Sequence, residues 1–140
     1  MLRVSEEAAL LAPLIDWLRK SGRLRGDTVV VDELPWFGRR VDLATLTRCR
    51  RTTAYELKLN STRRALSQAL YNCLYFDRSY IVTASEPSSA NIALAKEAGI
   101  GVIHFHAEGL RLMLCAEQQR TDPVVRRKLL RAIRECERVR

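Results

Sequence analysis

Residues 41–46 read VDLATL and residues 54–59 read AYELKL. Both stretches alternate and are rich in β-branched, aromatic and aliphatic residues, so each one predicts a β-strand. The basic and polar residues 48–52 that separate them predict a turn. Together the two strands and the turn predict a β-hairpin at the centre of the fold.

Charged side chains of this hairpin are predicted to converge on one face of the sheet. Because side chains on a strand point to alternate faces, Glu56 and Lys58 share one face and Leu57 lies on the other. If the hairpin pairs Asp42 near Glu56, two carboxylates and one ammonium group meet within an otherwise apolar sheet. Burying such charges is costly unless they are paired or hold a metal ion.

This arrangement suits the hydrolysis of a phosphodiester with the help of a divalent cation. Mg²⁺ prefers a few carboxylate oxygens, and a bound cation lowers the pKa of water and stabilises the leaving oxygen. Lys58 would hold the attacking water or offset charge in the transition state, and the carbonyl of Leu57 would be a further ligand. The alternative is an ion pair on a solvated strand face, which the Glu-x-Lys triplet alone favours.

Composition and charge narrow the class of protein. The 140 residues fit one domain, 1–140, and the content of 47% hydrophobic and 29% charged residues is ordinary for a globular protein. The net charge of +8 favours an anionic partner, with nucleic acid first, although a generally basic protein would show the same excess. We find no apolar run of transmembrane length and no secretory signal, and the four scattered cysteines favour reduced thiols in a cytoplasm.

Periodicity and capping residues predict the remaining elements in chain order. A first helix is capped by Ser5, and Pro13 either kinks it or begins a second helix. A later helix, 122–140, is basic on its outer face. Between them we predict a strand at 28–33 with a turn at 35–38, a helix at 63–76, a strand at 79–84, a helix opening at 86–89 and ending at Ala98, a strand at 101–105 and a short edge strand at 110–115.

Several basic and aromatic residues are candidates for contact with phosphates. Arg39 and Arg40 precede Asp42 directly, so they would meet phosphates or neutralise the acids. Gln68 lies on a stripe of the 63–76 helix, which leaves the Glu56 strand directly, and would orient Lys58 or a phosphate. Glu33 ends the preceding strand and is either a third acid beside the metal or a surface acid. The remaining candidates for nucleic-acid binding are Arg64 and Tyr71 on the same helical stripe and Arg127 and Arg131 on the last helix.

The order of helix, three strands, helix, strand, helix and strand, with Asp42, Glu56-Leu57-Lys58 and Gln68 in sequence, resembles the PD-(D/E)XK nuclease superfamily. The resemblance covers residues 6–105 and is nearest to small standalone bacterial members. It implies an α/β, restriction-endonuclease-like mixed sheet flanked by helices, with an α-β-β-β-α-β-α-β core to which the C-terminal helix is added.

The resemblance also implies roles for individual residues. Asp42 and Glu56 would ligate Mg²⁺ or Mn²⁺, Lys58 would position the water, and an acid of the first helix, Glu6 or Glu7, would assist. In RecB-like members a tyrosine usually follows the glutamine by four residues. Here Tyr71 follows Gln68 by three, and Asn72 stands at the fourth position.

These observations predict a cytoplasmic, metal-dependent deoxyribonuclease of DNA repair, restriction or defence, with RNA left open as a substrate. One alternative is a Holliday-junction resolvase that shares this active site and acts as a homodimer on branched DNA. A second alternative is a catalytically silent nucleic-acid-binding module that uses the basic C-terminal helix. A third is a subunit of a larger complex without nucleic-acid contact.

Overall fold

A computed structural model describes residues 7–60 and 62–139 of the chain, with side chains up to Glu137. Within these ranges four helices flank a mixed six-stranded sheet, which confirms the predicted α/β class and element order. The strands are β1 (Val29–Trp36), β2 (Arg39–Leu46), β3 (Thr52–Lys58), β4 (Arg78–Thr83), β5 (Gly101–His106) and β6 (Gly109–Leu114). The helices are α1 (Leu11–Lys20), α2 (Thr62–Asn72), α3 (Ser89–Ala98) and α4 (Pro123–Val139).

The strands lie in the sheet in the same order as in the chain, from β1 to β6. Strands β1, β2 and β3 are antiparallel neighbours, β3, β4 and β5 are parallel, and β6 returns antiparallel to β5. The parallel pairs are joined through α2 and α3, as strand–helix–strand crossovers require. The predicted edge strand at 110–115 is therefore present as β6.

Alternating side chains of the strands form two apolar layers. On one face, Leu43 and Leu57 pack with Leu14 and Leu18 of α1. On the other face, α4 covers the β1–β2 side of the sheet, while α2 and α3 cover β4 and β5 around Ile81. None of the helices in the described ranges is long and apolar enough to cross a bilayer.

The β1–β2 turn is shorter than its sequence predicts. The turn consists of Phe37 and Gly38 alone, with φ of 49° and 73°, so Pro35 and Trp36 still belong to β1. Two successive positive φ angles are typical of the two-residue turns that match the twist of a hairpin. Trp36 is buried with its ring edge against Tyr75, so it closes this end of the core. Phe37 is 57% exposed.

Helix boundaries correct the predictions in two places and decide between the two alternatives given for Pro13. The helix predicted over 63–76 ends at Asn72, and residues 73–75 form turns. Ser88 caps α3 by accepting a hydrogen bond from the Asn91 N–H at 3.1 Å, so Pro87 precedes the helix instead of lying in its first turn. Pro13 lies in the first turn of α1, where it starts a helix rather than kinking one. The predicted cap Ser5 and the acid Glu6 lie outside the described residues.

Asp77 joins the end of the sheet to the C-terminal segment. Its carboxylate is buried and accepts hydrogen bonds from the Thr52 N–H at 2.8 Å and from Gln118 Nε2 at 3.2 Å. The guanidinium of Arg126 forms an ion pair with the same carboxylate. A single side chain before β4 therefore connects β3, the 115–122 segment and α4.

We expect Asp77→Ala to lower the free energy of unfolding by about 2–4 kcal/mol, because it leaves a partly buried cation and a buried N–H without their acceptor. Chemical denaturation of the metal-free protein measures the loss. The matched control is Asp16→Ala, which removes an exposed pair with Lys20 at 3.0 Å and should cost less than about 1 kcal/mol. Equal losses in the two variants would contradict the role given to Asp77.

Candidate active site

Asp42 lies where the backbone ladders on both sides of β2 are interrupted. On the β1 side the register passes from Asp32–Leu43 to Leu34–Val41 and omits the pair opposite Asp42. The omitted partner is Glu33, whose φ of 51° is uncommon for a residue with a side chain. On the β3 side the ladder ends at the pair Leu43–Tyr55, although both strands continue. Strained backbone of this kind concentrates at functional sites.

Two carboxylates occupy the hydrogen-bonding positions that β2 leaves open along β3. Asp42 Oδ2 accepts the Leu57 N–H at 2.8 Å, and Glu7 Oε2 accepts the Leu59 N–H at 3.3 Å. Because these N–H groups have lost a strand partner, the carboxylates satisfy them and are fixed in place by doing so. This contact brings the predicted accessory acid Glu7 to the same end of β3 as Asp42.

Glu56 carries the least solvated carboxyl group of the site. Its side chain is 2% exposed and accepts a hydrogen bond from Asn72 Nδ2 at 2.9 Å through Oε2. Its Oε1 is buried and has no hydrogen-bond partner among the described residues. Burial, and then the neighbouring Asp42 carboxyl, raise the pKa of Glu56 to about 8.

Asp42 and Glu56 lie close enough that each carboxyl group affects the pKa of the other. Burial raises the pKa of Asp42 above its ordinary value, and the Leu57 N–H opposes that rise. Both carboxyl groups therefore hold protons more tightly than free carboxyls when no cation is near. The predicted convergence of the two acids is what the structure shows.

A cavity of about 220 Å³ opens beside Asp42 and Leu57. Its remaining acidic lining consists of Glu7, Asp32 and Glu33, so both predicted accessory acids face the same space as Asp42. Asp32 was not among the predicted site residues, since it reads as an ordinary strand residue next to the more prominent Glu33. Glu33 also pairs with Arg40 at 3.4 Å.

Lys58 and Gln68 lie on the elements that lead away from Glu56. Lys58 is half-buried at the end of β3, two residues beyond Glu56 on the same strand face. Gln68 is half-buried on α2, and its Oε1 is buried without a hydrogen-bond partner in the described ranges. The residue of α2 that contacts Glu56 is Asn72, one turn after Gln68.

Asn72 is a residue of the candidate site that the sequence prediction missed. The signal for it was present, because Asn72 holds the fourth position after Gln68, where RecB-like members place a tyrosine. In this chain the amide at that position donates its hydrogen bond to a carboxylate instead. Positions four apart on a helix share a face, so Gln68 and Asn72 are directed to the same side.

The predicted nucleic-acid-binding residues fall into two groups in space. Near the site, Arg39 stacks over the Tyr71 ring with 4.1 Å between the guanidinium carbon and the ring centroid, and Arg64 is exposed on α2. Arg127 and Arg131 instead line a groove beside Arg50, at the opposite end of the β2–β3 hairpin. The structure therefore does not bring the last helix to the carboxylates.

The carboxyl pair fits a hard divalent cation. The donors are oxygens, which Mg²⁺ and Mn²⁺ prefer, and the unpartnered buried Oε1 of Glu56 is an acceptor that a cation would satisfy. Across the described residues no three His, Cys, Asp or Glu side chains form a metal-ligand group. Any cation here would rest on two carboxylates, with the Leu57 carbonyl as the predicted further ligand and water completing its shell.

The fold and the site together define an α/β protein that carries a carboxyl pair at the open end of a central hairpin. No protein-family model matches the chain, and no curated protein matches it. Among solved structures, the chain is similar to the SPO1766 protein of unknown function from Silicibacter pomeroyi, with a TM-score of 0.61. The two share 21% identity, and the alignment covers 89% of this chain and 82% of the other. This similarity shows a shared fold.

Two further solved structures align at lower scores. A repair endonuclease from Pyrococcus abyssi gives a TM-score of 0.49 at 18% identity, covering 73% of this chain and 48% of that chain. SfsA from Pyrococcus furiosus, solved in complex with Ca²⁺, gives 0.47 at 12% identity, covering 87% and 66%.

We expect the metal-free protein to lose stability as the pH rises from about 4.5 to 8. The pKa of Glu56 is raised in the folded state, from 4.5 to about 8, so folding favours the protonated carboxyl and this contribution is lost as the proton leaves. The slope from one group is at most about 1.4 kcal/mol per pH unit. Thermal unfolding in EDTA over a series of pH values measures this slope. The comparison is Glu56→Gln, whose side chain stays neutral at every pH. Parallel pH curves for wild type and variant would contradict the burial argument.

Proposed function

We propose that this chain is a metal-dependent deoxyribonuclease of the PD-(D/E)XK type, which hydrolyses phosphodiester bonds in DNA. The observation that carries the proposal is the proximity of the half-buried Asp42 carboxyl group to the buried Glu56 carboxyl group, with one Glu56 oxygen unpartnered within the described residues. Two adjacent carboxyl groups with little access to solvent are unfavourable as a structural device, since neither partner neutralises the other. A divalent cation would remove that cost and give the pair a chemical role.

Each residue of the site has a place in this proposal. Asp42 and Glu56 would hold Mg²⁺ or Mn²⁺, which when bound would activate a water molecule and stabilise charge on the phosphate. Lys58 would orient the attacking water, whose oxygen forms the new bond to phosphorus while the bond to the leaving oxygen breaks. Asn72 would keep the Glu56 carboxylate in position, and Glu7 would keep the end of β3 in place through the Leu59 N–H.

The surroundings of the site support an anionic polymer as the substrate. The chain has a net charge of +8, and Arg39, Arg40 and Arg64 lie on the elements that carry Asp42 and Gln68. Arg39 presents its guanidinium on the face of Tyr71, a combination that binds phosphate and stacks against bases. These contacts support a nucleic acid of either kind as the substrate. A comparison of cleavage rates on DNA and on RNA distinguishes a deoxyribonuclease from a ribonuclease.

Isothermal titration of Mn²⁺ followed by a plasmid-nicking assay on the same samples tests the proposal. We expect wild type to bind Mn²⁺ and to nick DNA, and Asp42→Ala and Glu56→Ala to lose binding and at least about 100-fold of the nicking rate. Lys58→Ala should retain the cation and lose nicking, because it acts on water and not on the metal.

The matched control is Glu97→Gln, which removes an exposed carboxylate on α3 and should change neither measurement. Nicking by wild type in excess EDTA would contradict the mechanism. Salt-sensitive DNA binding without cleavage or Mn²⁺ binding would identify a silent nucleic-acid-binding module in its place.

A substitution at Asn72 tests the metal site independently of its proposed ligands. We expect Asn72→Leu to weaken Mn²⁺ binding by about 10–100-fold, because residues that hydrogen-bond a metal ligand typically contribute this much to affinity. The side chain is of similar size, so the fold should persist and thermal unfolding can verify it. Unchanged Mn²⁺ affinity in a folded Asn72→Leu protein would remove Asn72 from the site.

A further inference from the structure

The β2–β3 turn, residues 47–51, lies at the end of the hairpin away from the carboxyl pair. It contributes three arginines, Arg48, Arg50 and Arg51. Glu56 lies five residue steps after Arg51, which corresponds to about 17 Å along β3. A groove lies on each side of the turn; the first is lined mainly by arginines, and the second has five arginines in its lining.

The first groove lies between the turn and α4 and has a volume of about 460 Å³. Arg50 lines it together with Arg127, Arg131 and Arg134. The three helical arginines are spaced at i, i+4 and i+7, so they share one face of α4 and repel one another when no anion is bound.

The position of Arg50 is fixed by its neighbour on α4. Arg126 donates one hydrogen bond from its guanidinium to the Asp77 carboxylate and another to the Arg50 carbonyl. Arg50 itself has a φ of 64°, a conformation that residues with side chains seldom adopt. The turn is therefore clamped to α4, and the first groove is a built feature of the fold.

The second groove lies on the other side of the turn and has a volume of about 690 Å³. Its basic lining comes from Arg23 and Arg25 after α1, Arg48 and Arg51 of the turn, and Arg78 of β4. Tyr55 and Tyr80 also line it, with their rings stacked at 5.4 Å. Phosphate-binding cations and aromatic rings are therefore combined in this groove.

We call the turn and its two grooves the arginine pole. Asp27 and Glu135 are the acidic residues among the lining of the two grooves, against nine arginines. No ion pair within the described ranges involves any of these nine. Such a concentration of one charge is unfavourable unless an anionic partner neutralises it.

We propose that the arginine pole binds the phosphate backbone of the same nucleic acid whose phosphodiester is hydrolysed at Asp42 and Glu56. This inference rests on the proposed function and names its substrate as a polynucleotide rather than a mononucleotide or dinucleotide. A separation of about 17 Å corresponds to about five base pairs at a rise of 3.4 Å each. Guanidinium groups match phosphate oxygens two at a time, and concave grooves suit a strand better than a flat lipid surface.

Fluorescence anisotropy with a labelled 24-base-pair duplex, in EDTA and over a series of NaCl concentrations, tests the proposal without any cleavage. We expect wild type to bind, and Arg127→Gln/Arg131→Gln/Arg134→Gln to bind at least about 10-fold more weakly near 0.1 M salt. The slope of log K against log salt should fall in magnitude by roughly 2 to 3, since each lost phosphate contact contributes about 0.9.

The matched control removes three cations from outside the pole. Arg19→Gln/Lys96→Gln/Arg111→Gln carries the same net charge as the pole variant, and all three positions are exposed. We expect the salt slope of this variant to stay within about 1 of wild type. Equal weakening in both variants would overturn the proposal in favour of a general charge effect. Binding to vesicles of anionic phospholipid without binding to the duplex would overturn it in favour of a membrane partner.

Cys49 allows a direct test of position, because it is an exposed free thiol within the turn. Azidophenacyl bromide on this thiol should cross-link the duplex on irradiation, and the cross-link should persist in Cys115→Ser and disappear in Cys49→Ser. Cross-linking that follows Cys115, the other exposed thiol, would overturn the assignment. DNA bound at the pole by a protein that cleaves nothing would instead contradict the proposed function and leave the pole as a binding surface.

Discussion

The candidate site depends on the point where β2 stops pairing with β3. Beyond Leu43 and Tyr55 both strands continue without ladder pairing to each other, which leaves backbone N–H groups on this side of β3 in need of acceptors. Side chains of Asp42 and Glu7 supply them. A single opening in the sheet thus draws two carboxylates to the buried Glu56, and the same opening forms the cavity beside them. Continued pairing would have placed a backbone strand where the acids now lie.

Acidic and basic groups are separated along the long axis of the hairpin. Carboxyl groups gather where the hairpin opens, and arginines gather around the turn that closes it. An anionic strand is drawn toward the basic end and repelled by the acids unless a cation neutralises them. Under the proposed function, this division separates binding at the arginine pole from reaction at the carboxyl pair, so loss of one need not entail loss of the other.

The hairpin, the element order and the neighbouring acids were predictable because they follow from local patterns. Alternation assigns Asp42 and Glu56 to adjacent strands, and a short turn leaves little freedom in their register. Asn72 was missed because the reach of a helical side chain depends on where α2 begins relative to β3. The positive φ of Glu33 and the anchoring role of Asp77 have no local signature, since each depends on segments distant in the chain. The arginine pole was predicted only in part: Arg127 and Arg131 were candidates, whereas their neighbourhood with the arginines of the β2–β3 turn depends on segments distant in the chain.

The anchor between Asp77 and Arg126 also bears on the order of folding events. It joins residues 49 positions apart, whereas Asp42, Glu56 and Asn72 lie within the shorter span from Asp42 to Asn72. The contact of Glu7 with Leu59 spans 52 positions and is as distant as the anchor. Closing longer loops costs more chain entropy, so distant contacts form after local ones. During synthesis, residues 42–72 leave the ribosome before those of α4. The nascent chain would therefore bring Asp42, Glu56 and Asn72 together first, and the groove between the turn and α4 would form only when the last helix docks.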